Sequence, residues 1–106
     1  MSAQTIKNLG GALLFSGDYA SFKAALADAV RLGIDLTGAD LSNQDLTAIN
    51  LNGARLAGAK FDGSDLSNTS MERANAMNAS MIGVGLHNTH TLTANLVGAV
   101  IRHERH

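Results

Sequence analysis

The stretch IDLTGADLSNQDLTAINLNGARLAGAKFDGSDL, residues 34–66, decides the reading of this chain. A large apolar residue returns every fifth position, and the series continues to the end of the regular region. Leu36, Leu41, Leu46, Leu51, Leu56, Phe61, Leu66, Met71, Ala76, Met81, Leu86, Thr91, Leu96 and Ile101 all fall on it. Two residues before most of them stands a small group: Ala39, Ala54, Ala59, Ala74, Ala79, Ala94 and Ala99, with Ser64 and Thr69 as polar variants. The remaining positions hold Asp, Asn, Ser, Thr and Gly. A period of five fits neither the 3.6 of a helix nor the 2 of a strand. It fits a chain that runs straight briefly, turns a corner and runs straight again, with two side chains of each segment pointing inward.

The blocks Ala-Asp-Leu-Ser-Asn (39–43), Ala-Arg-Leu-Ala-Gly (54–58), Ala-Lys-Phe-Asp-Gly (59–63) and Ala-Asn-Leu-Val-Gly (94–98) resemble the pentapeptide-repeat family, whose motif reads A-[DN]-L-x-x. The resemblance implies an all-β solenoid, a right-handed quadrilateral β-helix with four pentapeptides to a coil. Coils stack at roughly 4.8 Å, the spacing of paired strands, so about three and a half coils stand roughly 16 Å tall. The expected core is Leu36, Leu41, Leu46, Leu51, Leu56, Phe61, Leu66, Met71, Met81, Leu86 and Leu96. Each coil buries its apolar side only against its neighbours, which makes the architecture quasi-one-dimensional. Three departures stand out. Gln44 occupies a small inward position and predicts a local bulge or an outward swing. Ala76 is undersized, with Met71 and Met81 available to fill the gap. Thr91 followed by Leu92 predicts a one-residue slip in register.

Residues 1–33 lack the repeat. Ala12 to Phe15, bracketed by glycines, reads as a strand against the first coil. Residues 18–32 carry Phe22, Ala25, Leu26, Ala29 and Val30 at helical spacing, predicting a helix from about Tyr19 to Leu32. Asp18 or Ser21 can cap its start and Gly33 can end it. This helix is expected to lie as a lid over the N-terminal coil, since an uncovered coil exposes strand edges and an apolar interior. The organisation is thus a single domain: strand and helix in 1–33, β-helix in 34–101, and a tail in 102–106 without repeat character.

Composition narrows the function classes. With 106 residues, no cysteine and no proline, the chain has no disulfide framework, no thiolate chemistry and no interruption of its ladders. No apolar run approaches the ~20 residues of a membrane span and no leader is evident, so a cytoplasmic location is expected. Asn68-Thr69-Ser70 and Asn78-Ala79-Ser80 match the glycosylation pattern by the chance of an Asn/Ser-rich repeat. His87 and His90 have a spacing that can hold a metal, but no third ligand is evident. Gly83-Val84-Gly85 lacks the third glycine of a dinucleotide loop. No catalytic set emerges, and neither a cofactor nor a metal is expected.

Two outward surfaces remain. Asp40, Asp45, Asp62 and Asp65 form an acidic face; Arg55 and Lys60 stack over Asp35 and Asp40, which predicts cross-strand charge pairs. Met77, Ile82, Leu92, Val97, Val100 and Ile101 form an apolar patch at the C-terminal end, where no cap is evident; such patches mark contact surfaces. The first reading is a non-catalytic interaction scaffold, homodimeric through its C-terminal coils and presenting a rigid surface to a further protein. The second comes from the resemblance: some family members mimic duplex DNA and inhibit DNA-binding machines such as type II topoisomerases, and a small member could likewise decoy a CRISPR effector. Charge density disfavours mimicry. Duplex DNA carries one charge per ~1.7 Å, about nine or ten over ~16 Å, whereas residues 35–68 are net −3: five Asp against Arg55 and Lys60. Direct nucleic-acid binding is less favoured still, for want of a basic stripe.

Overall fold

The structure is a computed structural model and describes residues 1–103. In chain order it comprises β1 (Ser2–Lys7), β2 (Leu13–Tyr19), α1 (Phe22–Arg31), and two short strands far apart in sequence, β3 (Ser80–Ile82) and β4 (Val100–Arg102). Between α1 and the end, the chain makes a repeating series of parallel bridges. Asp35 pairs with Arg55, Asp40 with Lys60, Asp45 with Asp65 and Asn50 with Ser70, and the pattern runs on to Ser70 with His90 and Asn75 with Asn95. β3 continues it onto β4, Ser80 opposite Val100. Every pairing spans twenty residues. The fold is of the β-helix type, its backbone polar groups satisfied rung against rung.

The twenty-residue register places Leu46, Leu66 and Leu86 in one column, and Leu36, Leu56, Ala76 and Leu96 in another. Leu36, Leu41, Leu46, Leu51, Leu56, Phe61, Leu66, Met71 and Met81 are all buried, and Ala76 is fully enclosed with them. Leu86 and Leu96 are only half-buried, because they belong to the terminal rung and have no described rung beyond them. Ser64 and Thr69 lie inside the core.

Most corners are tight turns in which the small inward residue donates its N–H to the carbonyl of the large residue three positions back, as in Ala39 to Leu36 (3.0 Å) and Ala59 to Leu56 (3.0 Å). In its usual form here the turn places a left-handed residue just before the small one. Glycine supplies it at 38, 53, 58, 63, 83 and 98, and asparagine at 43, 68, 78 and 88. Ala48 (φ 59°) and Arg73 (φ 59°) adopt it against their preference. A side chain with a Cβ costs roughly 1–2 kcal/mol in this region, and glycine's freer unfolded chain takes back part of that. Ala48→Gly is therefore expected to raise stability by about 1 kcal/mol, measured as a higher denaturant midpoint at unchanged slope.

The expected bulge at Gln44 does not form. The bridges Asp40–Lys60 and Asp45–Asp65 on either side keep their register. With Gln44 and Ile49 too large for the small inward site, those two corners open, and a hydroxyl from the next rung closes each. Ser64 Oγ donates to the Leu41 carbonyl (2.5 Å) and accepts from the Gln44 N–H (2.9 Å). Thr69 Oγ1 does the same between the Leu46 carbonyl (2.5 Å) and the Ile49 N–H (3.2 Å). Nor does the register slip at Thr91, since the bridges at His90, Asn95 and Val100 continue in step. The Ala94 N–H still closes its turn on the Thr91 carbonyl (2.9 Å), although the intervening Thr93 is not among the residues with positive φ.

The N-terminal region differs from its sequence reading. Of the strand placed at Ala12–Phe15, Leu13–Phe15 fall in β2, which pairs antiparallel with the unforeseen β1 to form a hairpin, Ser2 opposite Tyr19 and Ile6 opposite Phe15. Tyr19 and Asp18 belong to that hairpin, so α1 starts later than expected. Ser21 is its N-cap, its side chain accepting from the Ala24 N–H (3.2 Å). The helix ends in a Schellman motif: Gly33 donates to the Val30 carbonyl and Ile34 to the Ala29 carbonyl, both at 3.0 Å. Ala25, Leu26 and Ala29 of α1 are buried, Leu26 and Ala29 in the same core as Leu36 and Leu41, and Ile6 of β1 joins them. The end of the hairpin also meets the first rung directly: the Asp40 N–H donates to the Lys7 carbonyl (2.8 Å) and the Leu9 N–H to the Gly38 carbonyl (2.9 Å). Helix and hairpin together cover that end. At the other end Arg102, expected in a free tail, is paired with Ile82; the rest of that tail, 104–106, lies outside the described residues.

Candidate functional site: the outer faces and the terminal rung

The acidic positions are occupied with their own backbone. The residue after each large core position has an outward N–H with no ladder partner. A carboxylate or amide two residues earlier accepts it, as Asp35 does from Thr37 (3.0 Å), Asp40 from Ser42 (3.2 Å), Asp45 from Thr47 (3.0 Å) and Asp65 from Ser67 (2.9 Å). Asn50, Asn75 and Asn95 do the same. Asp62 reaches across a rung instead, accepting from Ser80 Oγ (2.6 Å) and the Ile82 N–H (2.9 Å). The expected charge pairs Arg55–Asp35 and Lys60–Asp40 are not formed. Among the described residues the ion pairs are Lys23–Asp45 (3.6 Å) and Arg31–Asp28 (2.5 Å). A turn amide and hydroxyl two residues away are nearer and better aligned than a cation one rung up, and these Asx turns win.

These bonds stabilise the ionised form. The Thr37 hydroxyl and amide hold Asp35 below the ordinary carboxylate value, and Thr47 and Ser67 do so for Asp45 and Asp65. Burial pushes Asp62 up, but the Ser80 and Ile82 donors outweigh it and the net shift is downward. Thr93 lowers Glu72. A carboxyl whose folded pKa is depressed stabilises the fold above its unfolded pKa and loses that contribution as pH falls through the folded one. Thermal stability is therefore expected to be flat above about pH 5 and to decline progressively below about pH 4, the ordinary carboxylate range. Unfolding followed by circular dichroism across pH 2–7 checks this, and a midpoint unchanged down to the acid end would contradict it.

The apolar candidates separate into two groups. Met77 and Ile82 are half-buried. Leu92 (93% exposed), Val97 (68%), Ile101 (49%) and Val100 (43%) are exposed, and all four lie on the terminal rung. Among the described residues, the N–H groups of Thr91, Leu96 and Gly98 and the carbonyls of Thr89, Ala94 and Ala99 have no further rung to meet. Exposed apolar side chains and unpaired ladder groups thus coincide. His87, His90 and His103 are exposed on the same rung. Among the described residues no group of three or more His, Asp or Glu could hold a metal, and no helix is long and apolar enough to cross a membrane.

Comparison with known proteins agrees with the repeat. The family model for pentapeptide repeats matches in eight copies over residues 34–73 and 54–90. No curated protein and no solved structure matches the chain. Proteins of that family are generally non-catalytic scaffolds for protein interaction. Twenty-residue parallel pairing, the five-residue corner and a match over more than half the sequence lead to one assignment: the chain belongs to the pentapeptide-repeat family.

Proposed function

We propose that this protein is a non-catalytic interaction scaffold, a right-handed, four-sided β-helix capped at its N-terminal end and paired through its C-terminal end with a second copy. The observation that carries the reading is the exposure of Leu92, Val97, Val100 and Ile101 on the rung whose ladder groups are also unpaired. An open strand edge invites another chain. A two-fold contact uses one patch twice and would cover both ends at once. Met77 and Ile82 line the rung beneath and support the patch. The dimer would leave the outer faces free for a further protein, in a cytoplasmic setting. Light scattering at micromolar concentration tests it, and a monomeric mass would overturn it.

The second reading, an acidic decoy for a DNA-binding machine such as a topoisomerase or a CRISPR effector, is favoured by one observation: Asp65 stands directly over Asp45 on one ladder. Substituting Asn for Asp40, Asp45, Asp62 and Asp65 keeps the turn acceptors, as Asn50 and Asn75 illustrate, and removes the charge. The decoy reading expects the quadruple variant to lose all inhibition, and duplex DNA to compete with the wild type. Inhibition undiminished in the variant would dismiss it.

A further inference from the structure

At the N-terminal end, α1 overhangs the first rung and leaves a cleft of about 460 Å³, lined by Ala27, Val30, Arg31, Asn50 and Asn52. On the rung side, this cleft is an open ladder edge. One rung further on, the equivalent stretch makes three backbone bonds. The Ser70 N–H donates to the Ile49 carbonyl (3.1 Å), the Ser70 carbonyl accepts from the Leu51 N–H (2.8 Å), and the Glu72 carbonyl accepts from the Gly53 N–H (2.9 Å). The Asn50 N–H and the carbonyls of Asn50 and Asn52 hold the same places, and none of the three has a partner among the described residues. Asn52 directs its side chain to the next rung, where Oδ1 accepts from Ser70 Oγ (2.5 Å) and the Glu72 N–H (2.8 Å), so its main-chain carbonyl is what it offers towards α1. Twenty residues before Asn50 the chain is helical, at Val30, and no strand of its own continues the ladder. Two other sides of this edge are met by the chain itself: the Lys7 carbonyl takes the Asp40 N–H (2.8 Å), and Lys23 Nζ donates to the Thr47 carbonyl (3.1 Å). Beside the open stretch, Arg31 uses Nε and Nη2 on Asp28 Oδ1 (2.8 and 2.5 Å) and keeps Nη1.

We infer that the cleft binds the extended C-terminal tail of a partner protein, added as a strand parallel to residues 49–53 with its terminal carboxylate on Arg31 Nη1. Two acceptors and one donor at ladder spacing, with a guanidinium beside them, suit neither a bare anion nor a bare cation. A peptide end carries N–H, carbonyl and carboxylate in one chain. The rung beneath gives the register. In a five-residue tail the first carbonyl accepts from the Asn50 N–H, the third N–H donates to the Asn50 carbonyl, and the fifth to the Asn52 carbonyl. Parallel pairing directs the last residue towards Gly53, the corner at which the chain leaves α1 and Asp35 pairs with Arg55. Arg31 ends α1 on that side, and a guanidinium edge matches a carboxylate. The first and third side chains turn towards Ala27 and Val30, which calls for small apolar groups, and the second and fourth turn to solvent. The site lies at the end away from the terminal rung and does not depend on the pairing of two copies.

Nuclear magnetic resonance with the peptide acetyl-Ala-Thr-Ala-Thr-Gly, its C-terminal carboxylate free, tests it. A saturable shift of the Asn50 backbone amide is expected, with slower hydrogen exchange at that amide and none of either at Ser70. Methylating the third backbone nitrogen of the peptide removes the donor to the Asn50 carbonyl, and amidating its C-terminus removes the charge. Each change should weaken binding about tenfold or more. Arg31→Leu should erase the preference for the free carboxylate over the amide. Ala27→Leu should abolish binding by filling the cleft, with the rest of the backbone spectrum that of the wild type. Absence of a saturable shift, equal binding of the methylated or the amidated peptide, or undiminished binding in Ala27→Leu would overturn the assignment. So would an Asn50 shift that grows with protein concentration alone, which would make a second copy the occupant.

Discussion

Replacing Leu66 by alanine is expected to lower the stability of the protein by about 2–5 kcal/mol, the range for deleting a large buried aliphatic group. Leu66 is fully buried in the middle of the Leu46–Leu66–Leu86 column, with a rung on each side. The ladders on both sides fix the rung spacing, so the backbone cannot collapse into the space left behind, and the cost should fall in the upper part of the range. Ala57→Ser is the control, since position 57 is outward and Ala57 contributes to the ladder only through its carbonyl, which accepts from Gly38 (2.8 Å). Its stability from urea unfolding should change by less than about 0.5 kcal/mol. Equal midpoints for the two variants would mean that the inward register is wrong.

The second large effect is expected at the terminal rung. Leu92→Asp/Val97→Asp should convert a dimer into a monomer at micromolar concentration, because each carboxylate would have to be desolvated in the contact without a partner. The two positions are chosen because they are the most exposed of the patch, so the folded monomer loses little by the change. Ile82 and Met77 make poorer probes: they are half-buried, and a charge there would disturb the rung itself. A weakening of at least a hundredfold in the dimer constant is expected, about 3 kcal/mol or more. Sedimentation of wild type and variant over a concentration series decides it. A dimer indifferent to the double substitution would place the contact on another face.

What could be read from the sequence was whatever depends on the side-chain period. The large residues at every fifth position announced the core, and twenty-residue pairing follows once four such segments make a rung. The hairpin was not legible because Ser2–Lys7 carries a single apolar anchor, Ile6, among polar neighbours, and its pairing with β2 depends on backbone geometry around Asn8 to Ala12. The departures at Gln44 and Thr91 were visible, but their consequences were not. A ladder bonded to the rungs on both sides resists slipping, so the misfit is absorbed locally, at Gln44 by the Ser64 hydroxyl and at Thr91 by an altered turn. The acidic face was misread for a related reason. Stacking places Arg55 over Asp35, yet the carboxylate meets its own turn first. The cleft beside α1 left no sequence signal at all, since it joins residues 27–31 to residues 50–52 through the docking of a helix whose position no repeat dictates.

The constant twenty-residue interval also limits how the gene can change length. A loss or gain of one residue inside 34–103 would rotate every later side chain off its column, and one of five would move each later segment to a neighbouring column. Twenty residues is the increment that leaves the columns intact. Excising 75–94, for instance, would join Ala74 to Asn95 and bring Leu96 over Leu56, with the repeat unbroken across the splice. Such a change would shorten the molecule by one rung while preserving the helix-capped end; the other end would lose Leu92 and be rebuilt from residues 64–74 and 95–103. Length in this architecture is inherited in whole rungs, and it can be reset without redesigning either the cap or the core.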